Sequence, residues 1–270
     1  MNQPLIEATT PHKQQTSKVQ ICADIQAHAS GNPHTLVEWG HQYTLLHHEH
    51  HQHPIAGLIT QGNLQAIWVE LVQAFPCTGL WPVITPQTDV VRNNSFLSVY
   101  TSSKQSIVNT TAEFFLRQSN DEDTQWYAPD FQGFQTLAQG NSTSKAWLST
   151  PEIFPDEALL IVPTPRPADI PARLGWLGGT NFNIGPADIS CVLRSWEERF
   201  GAIITHLGTD TLVAQATRPP AEEAINPLAI EHFLFCPDVV HQGSDTLCEY
   251  RNLLRKATIR GSNSWYFWWD

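Results

Sequence analysis

The chain has 270 residues, 41% of them hydrophobic and 10% aromatic, enough to bury one large core or two modest ones without covalent staples. Its net charge of −11 is spread evenly, with 15 acidic against 8 basic residues up to Arg173 and 11 against 7 beyond it. No basic stripe is available to hold a nucleic-acid backbone, and direct nucleic-acid binding is excluded as an expectation. An acidic surface instead suits solubility and fast encounter with a basic protein partner.

Residues 1–33 are polar, with little periodicity, and read as a poorly ordered lead-in. They carry no basic segment followed by an apolar one, and no apolar run in the chain approaches the roughly 18 residues of a membrane span. The expectation is a cytoplasmic protein with no membrane partner. The five cysteines, at 22, 77, 191, 236 and 248, form no C-x-x-C pair and read as small hydrophobes in a reducing compartment.

From Thr35 the pattern becomes foldable. Leu36, Val37, Trp39, Tyr43, Leu45 and Leu46 are strand-prone. Leu64, Ile67, Trp68, Leu71, Val72 and Phe75 fall at helical spacing, and Thr78-Gly79-Leu80-Trp81-Pro82-Val83-Ile84 reads as a turn feeding a short buried strand. Residues 93–140 give no assignable pattern. Prolines and glycines crowd residues 150–187 around one predicted strand, Ala158 to Val162, and the domain boundary is placed there. This gives an N-terminal α/β region over 34–165 and a C-terminal domain over 166–270.

In the last third, Ile189, Val192, Leu193, Trp196 and Phe200 predict an amphipathic helix opened by Pro186 or Asp188 and closed by Gly201. Ala202 to Leu207 and Thr211 to Thr217 predict a hairpin, ended by Arg218-Pro219-Pro220. A helix to about Phe235 is expected to restart at Asn226-Pro227, Asn226 serving as the cap. Ser244 or Asp245 caps another helix, and Trp265-Tyr266-Phe267-Trp268-Trp269-Asp270 forms an aromatic terminal strand. The fold class is therefore α+β, with a C-terminal domain in the β-α-β-β-α-β order of ferredoxin-like folds.

Four stretches in this region, Leu193 to Ala202, Arg218 to Pro220, Glu231 to Asp238 and Trp265 to Asp270, together resemble a bacterial family, domain of unknown function 4253. The resemblance covers about residues 172–270, and Thr78 to Pro82 looks like an upstream part of longer members. It implies a fold and no activity.

Several groups of residues could carry chemistry. The run from His47 to His53 places His47, Glu49, His51 and His53 on one face of a strand, where zinc or nickel could bind adventitiously. HExxH would require histidine at position 52, which is Gln52, so the run reads first as a solvated polar edge. Glu231, His232, Cys236 and Asp238 put a base, a ligand and a nucleophile within eight residues, open to a Cys/His reading. Against it, a helix C-terminus disfavours a thiolate, and local packing explains the same residues. Arg194, Glu197, Glu198 and Arg199 suggest solvated ion pairs along one helix, with Arg194–Glu198 at i, i+4. Alternatively, Arg194 or Arg218 pairs with Asp270 to lock the last strand. Trp81, Trp196, Trp265, Trp268 and Trp269 are candidates for core packing or for a binding face.

No nucleotide-binding loop or serine-hydrolase elbow occurs. The reading is a non-enzymatic acidic binding protein that needs no cofactor, an immunity protein occluding a basic toxin. The alternatives are a metal- or Cys/His-dependent enzyme and a small-molecule-binding scaffold.

Overall fold

A computed structural model describes residues 18–20, 31–47, 54–92, 107, 111–119, 132–140 and 147–270. In chain order these form β1 (Lys18–Gln20), β2 (Thr44–His47), β3 (Pro54–Ile59), α1 (Leu64–Thr78), β4 (Leu80–Pro86), α2 (Gln87–Arg92), α3 (Ala112–Gln118), β5 (Trp147–Ser149) and β6 (Glu157–Pro163). They continue with α4 (Ile170–Leu174), α5 (Pro186–Phe200), β7 (Ala202–Leu207), β8 (Thr211–Ala216), α6 (Glu222–Phe235), α7 (Asp238–His241), α8 (Leu247–Ile259) and β9 (Ser264–Trp268).

Seven strands make one mixed sheet in the order β2-β3-β6-β4-β7-β8-β9, and β1 and β5 form a separate antiparallel pair. Every neighbouring pair in the large sheet is antiparallel except β4 with β7. β4 and β6 lie in its interior and are buried along nearly their whole length, as strands covered on both faces must be. Strands from both sides of residue 166 share this sheet and one hydrophobic cluster.

The α+β class holds, but the ferredoxin-like arrangement is not confirmed. That arrangement would place the first and last strands of the C-terminal part side by side; here β9 pairs with β8, and β4 separates β6 from β7. The reason is β4 itself: its Leu80, Trp81, Val83 and Ile84 are all buried and fill the place in the sheet that a closing strand would take.

Local signals formed elements where they agreed with tertiary packing. Trp68, Leu71, Val72 and Phe75 are the buried stripe of α1, which Asn63 caps by accepting the Ala66 N–H at 3.1 Å. Gly201 ends α5 with φ at 58°, and an added Cβ would collide with the Thr217 hydroxyl. Three expectations fail. Pro33–Val37 is a 3-10 helix capped by Asn32, so the strand seen in Leu36 to Leu46 starts only at Thr44. α6 runs unbroken from Glu222 to Phe235 through Pro227, because its tertiary contacts outweigh the one N–H that proline lacks. Thr246, not Ser244 or Asp245, caps α8, its hydroxyl accepting the Glu249 N–H at 3.2 Å.

Gly201→Ala is expected to cost more than the roughly 1–2 kcal/mol of a left-handed residue with a Cβ, because the Thr217 hydroxyl must also move, read as a lowered urea midpoint at unchanged slope.

Candidate functional site

Trp196, on the buried face of α5, gathers the residues in which the sequence suggested chemistry. Its ring stacks on Phe267 at 5.4 Å and meets His232, Phe235 and Trp265 edge-on at 4.9, 4.9 and 5.6 Å. Its indole N–H donates to Glu231 Oε2 at 2.8 Å. The last turn of α6 brings Glu231 and His232 into this cluster, and the helix ends at Cys236 because Pro237 follows.

Glu231 is wholly buried, and an unpaired carboxylate there would be prohibitive. Arg199 resolves this by donating from both terminal nitrogens, at 2.9 Å to Oε1 and 2.6 Å to Oε2. The carboxylate also accepts the Ala138 N–H at 2.6 Å, while Arg199 donates to the Ala138 carbonyl at 2.6 Å. Arg199 is thus no solvated helix charge: it is the counterion of the buried acid.

His232 is equally buried. Its Nδ1 lies 2.8 Å from the Tyr250 hydroxyl, and Nε2 has no hydrogen-bond partner. Burial, reinforced by the Arg199 cation, pushes its pKa down to about 3, so it stays neutral. The Cys236 thiol donates to the Trp268 carbonyl at 2.8 Å, and burial pushes its pKa up to about 12. Burial raises the Tyr250 phenol as well. In this structure the thiol is turned to a carbonyl and the imidazole to a phenol, and both residues are fully buried.

The ion-pair expectations also change. Arg194 makes a bidentate pair with Asp169, at 2.5 and 2.8 Å, and not with Glu198. Glu198 shares Arg166 with Glu197, whose carboxyl burial pushes up to about 7 against the pull of that guanidinium. Arg218 donates to the carbonyls of Glu197 and Glu198, the negative end of α5. Neither Arg194 nor Arg218 engages Asp270. The last strand is held instead by the Asp270 N–H on Asp238 Oδ2 at 3.0 Å and the Trp269 indole on the Phe235 carbonyl at 3.3 Å.

The tryptophan candidates divide as alternation demands. Trp265 and Trp269 face the core, as does Trp81, whose indole donates to the Ile204 carbonyl at 3.0 Å. Trp268, on the opposite face, is half-buried with its ring 5.5 Å from that of the exposed Tyr266. Of the histidine run, His47 is an exposed residue at the end of β2; Glu49, His51 and His53 lie outside the described residues. Among the described residues no group of three or more His, Cys, Asp or Glu is placed to hold a metal ion, and no helix is long and apolar enough to cross a membrane.

An open cleft of about 420 Å³ lies between residues 132–136 and the middle of α6, lined by Phe134, Thr136, Asn226, Pro227 and Ile230 among others. Residues 158–270 match the family described as Domain of unknown function (DUF4253). The match begins with β6, upstream of the stretch in which the resemblance was read, and includes Trp196, Arg199, Glu231, His232 and Cys236; Thr78 to Pro82 lies outside it. No curated protein and no solved structure matches the chain.

Sequence reasoning missed Arg166, Asp169, Ala138 and Tyr250 as partners in these networks. Arg199 was named, but as a solvated helix charge and not as the partner of Glu231; Ala138 carried no signal, since its role is played by its main chain.

Two measurements check this geometry. In the folded protein, Cys77 and Cys248, both exposed, are expected to react with iodoacetamide at pH 8 while Cys236 does not; mass spectrometry of the labelled peptides reads this directly. A histidine neutral when folded and titrating near 6.5 when unfolded stabilises fully above pH 6.5 and loses that stabilisation as pH falls towards 3. His232→Gln should therefore be less stable than wild type at pH 7.5, with the gap narrowing by about 2 kcal/mol at pH 5 in urea denaturation. His206 and Glu197, which also titrate across acid pH, are common to both proteins and cancel in the difference.

Proposed function

We propose that this is an acidic, non-enzymatic binding protein that occludes a basic protein partner in the cytoplasm, as an immunity protein neutralises a toxin. The observation that carries the reading is the state of Glu231, His232 and Cys236. Each is enclosed and already used: the acid by Arg199, the imidazole by Tyr250, the thiol by the Trp268 carbonyl. Residues so engaged hold a shape; they do not turn over a substrate. The net charge of −11 adds long-range attraction for a cationic partner and a salt dependence to match.

The aromatic cluster suits this role because a core of interlocked rings keeps one packing, and a rigid surface loses little entropy on binding. A small-molecule-binding scaffold is the second reading, favoured by the cleft beside Pro227, which is of a size to take a compact ligand.

The test is recovery of the untagged chain from its native host at low and moderate salt, with mass spectrometry and elemental analysis of the same sample. A stoichiometric basic partner is expected. Its affinity should fall at least tenfold between about 50 and 300 mM NaCl, and the chain should protect cells that express it. Recovery of the chain alone with one metal ion per molecule would replace this reading with an enzymatic one.

A further inference from the structure

Residues 132–136 form one wall of the open cleft and the middle of α6 the other. The first wall is irregular but held in place. Arg117 of α3 donates to the carbonyls of Phe134 and Gln135, at 3.3 and 3.1 Å, and its guanidinium lies 5.2 Å from the centre of the Phe134 ring. Further along, Glu231 fixes the Ala138 N–H at 2.6 Å. Gly133 turns the main chain with φ at 85°, and an added Cβ would meet nothing within 4 Å, so the position is glycine for its backbone and not for want of room. A wall formed in advance loses little entropy on binding.

The described residues that line the cleft carry no charge. Gln132, Gln135 and Asn226 bring three exposed primary amides, and none of these has a hydrogen-bond partner among the described residues. Each amide offers two donors and an acceptor. Phe134, Pro227 and Ile230 supply the apolar part, the first buried and the other two half-buried. Pro227 also leaves the Glu223 carbonyl without the N–H that another residue at 227 would give it, a further acceptor at that turn of α6.

This lining selects by chemistry. An ionised ligand would leave water with no counter-charge to meet it, since Arg117 is already engaged by Glu113 and two carbonyls. A wholly apolar ligand would strip water from the amides and return no hydrogen bond. A flat aromatic ligand finds no exposed ring to stack on, because Phe134 is buried and carries the Arg117 guanidinium. A neutral saturated ring with hydroxyls around its rim meets every condition. Its hydroxyls exchange hydrogen bonds with the amides, and its C–H face rests on Pro227 and Ile230. The volume of about 420 Å³ lies in the range of roughly 300–1,000 Å³ usual for small-molecule sites.

We propose that the cleft binds a neutral sugar of one or two pyranose rings, held by Gln132, Gln135 and Asn226 over Pro227 and Ile230. This rests on the small-molecule reading given second above and assigns its ligand a chemical class; it is independent of the occlusion of a protein partner.

The test is saturation-transfer difference NMR on the full chain with glucose, galactose, mannose, maltose, cellobiose and lactose, and with glucose 6-phosphate, glucosamine and adenosine as contrasting probes. Calorimetric titration of the best binder follows. At least one neutral sugar is expected to bind with a Kd on the order of 1 mM or tighter. Its affinity should change less than twofold between about 50 and 300 mM NaCl, and the charged sugars should bind at least tenfold more weakly. Asn226→Leu and Gln135→Leu each remove an amide at an exposed position with little change of volume, and each is expected to weaken the sugar at least tenfold. If circular dichroism shows either to be misfolded, Thr136→Trp, which fills the cleft from an exposed position, takes its place. No signal from any neutral sugar, charged probes or adenosine bound as tightly as the sugars, or a sugar affinity unmoved by every folded variant overturns the proposal. Adenosine or a charged probe bound through these same residues refutes the sugar and leaves the small-molecule reading standing, whereas silence from every probe counts against both.

Discussion

A carboxylate with no access to water sits at the centre of this molecule, and much of the surrounding architecture can be traced to what Glu231 requires. Enclosing a lone carboxylate costs several kcal/mol even after relaxation, so every lone pair must find a donor. Arg199, the Trp196 indole and the Ala138 amide supply them, from one helix and one irregular segment. Satisfying Glu231 thereby sets the rotation of α5 against α6 and ties the segment around Ala138 to both. Around the polar centre, Trp196 contacts rings from α6 and β9, which transmits the constraint to the edge of the sheet.

The same economy recurs along α5. Arg194 answers Asp169, Arg166 answers Glu197 and Glu198, and Arg218 caps the helix carbonyls. These contacts bind the connector between β6 and α5 to the helix and fix where the hairpin of β7 and β8 begins. Charged residues make up only 15% of the chain, yet those near α5 are drawn into structural pairs.

Elements whose information is local were readable in advance. The stripe of α1, the bounds of α5 from Pro186 to Gly201, the hairpin on either side of Gly208 to Asp210, and the inward alternation of Trp265 and Trp269 all follow from periodicity, capping and turn chemistry. Where the reading failed, a contact or a cap outside the pattern being read had the deciding influence. Pro227 signals a break, but the contacts α6 makes along its length keep the helix whole. Leu36 and Val37 look like strand, but Asn32 and Pro33 turn them into a 3-10 helix. The candidate site shows the division most sharply: Glu231, His232, Cys236 and Arg199 were visible as residue types, while the pairing of Arg199 with Glu231 and the parts played by Tyr250 and the Ala138 main chain were not.

Composition and pattern by themselves determined that this is an acidic α+β protein with an aromatic core, a capped helix before a hairpin, and a last strand with one buried face. Only the tertiary structure decided that β4 enters the sheet between β6 and β7, and that the acid, imidazole and thiol at the end of α6 are sealed. The physical reason is range. Helix caps, turns and alternation act over a few residues, so they are written locally. Strand order and the desolvation of a titratable group depend on which distant segment lies alongside, and the 93 residues separating Ala138 from Glu231 carry no local mark of their contact.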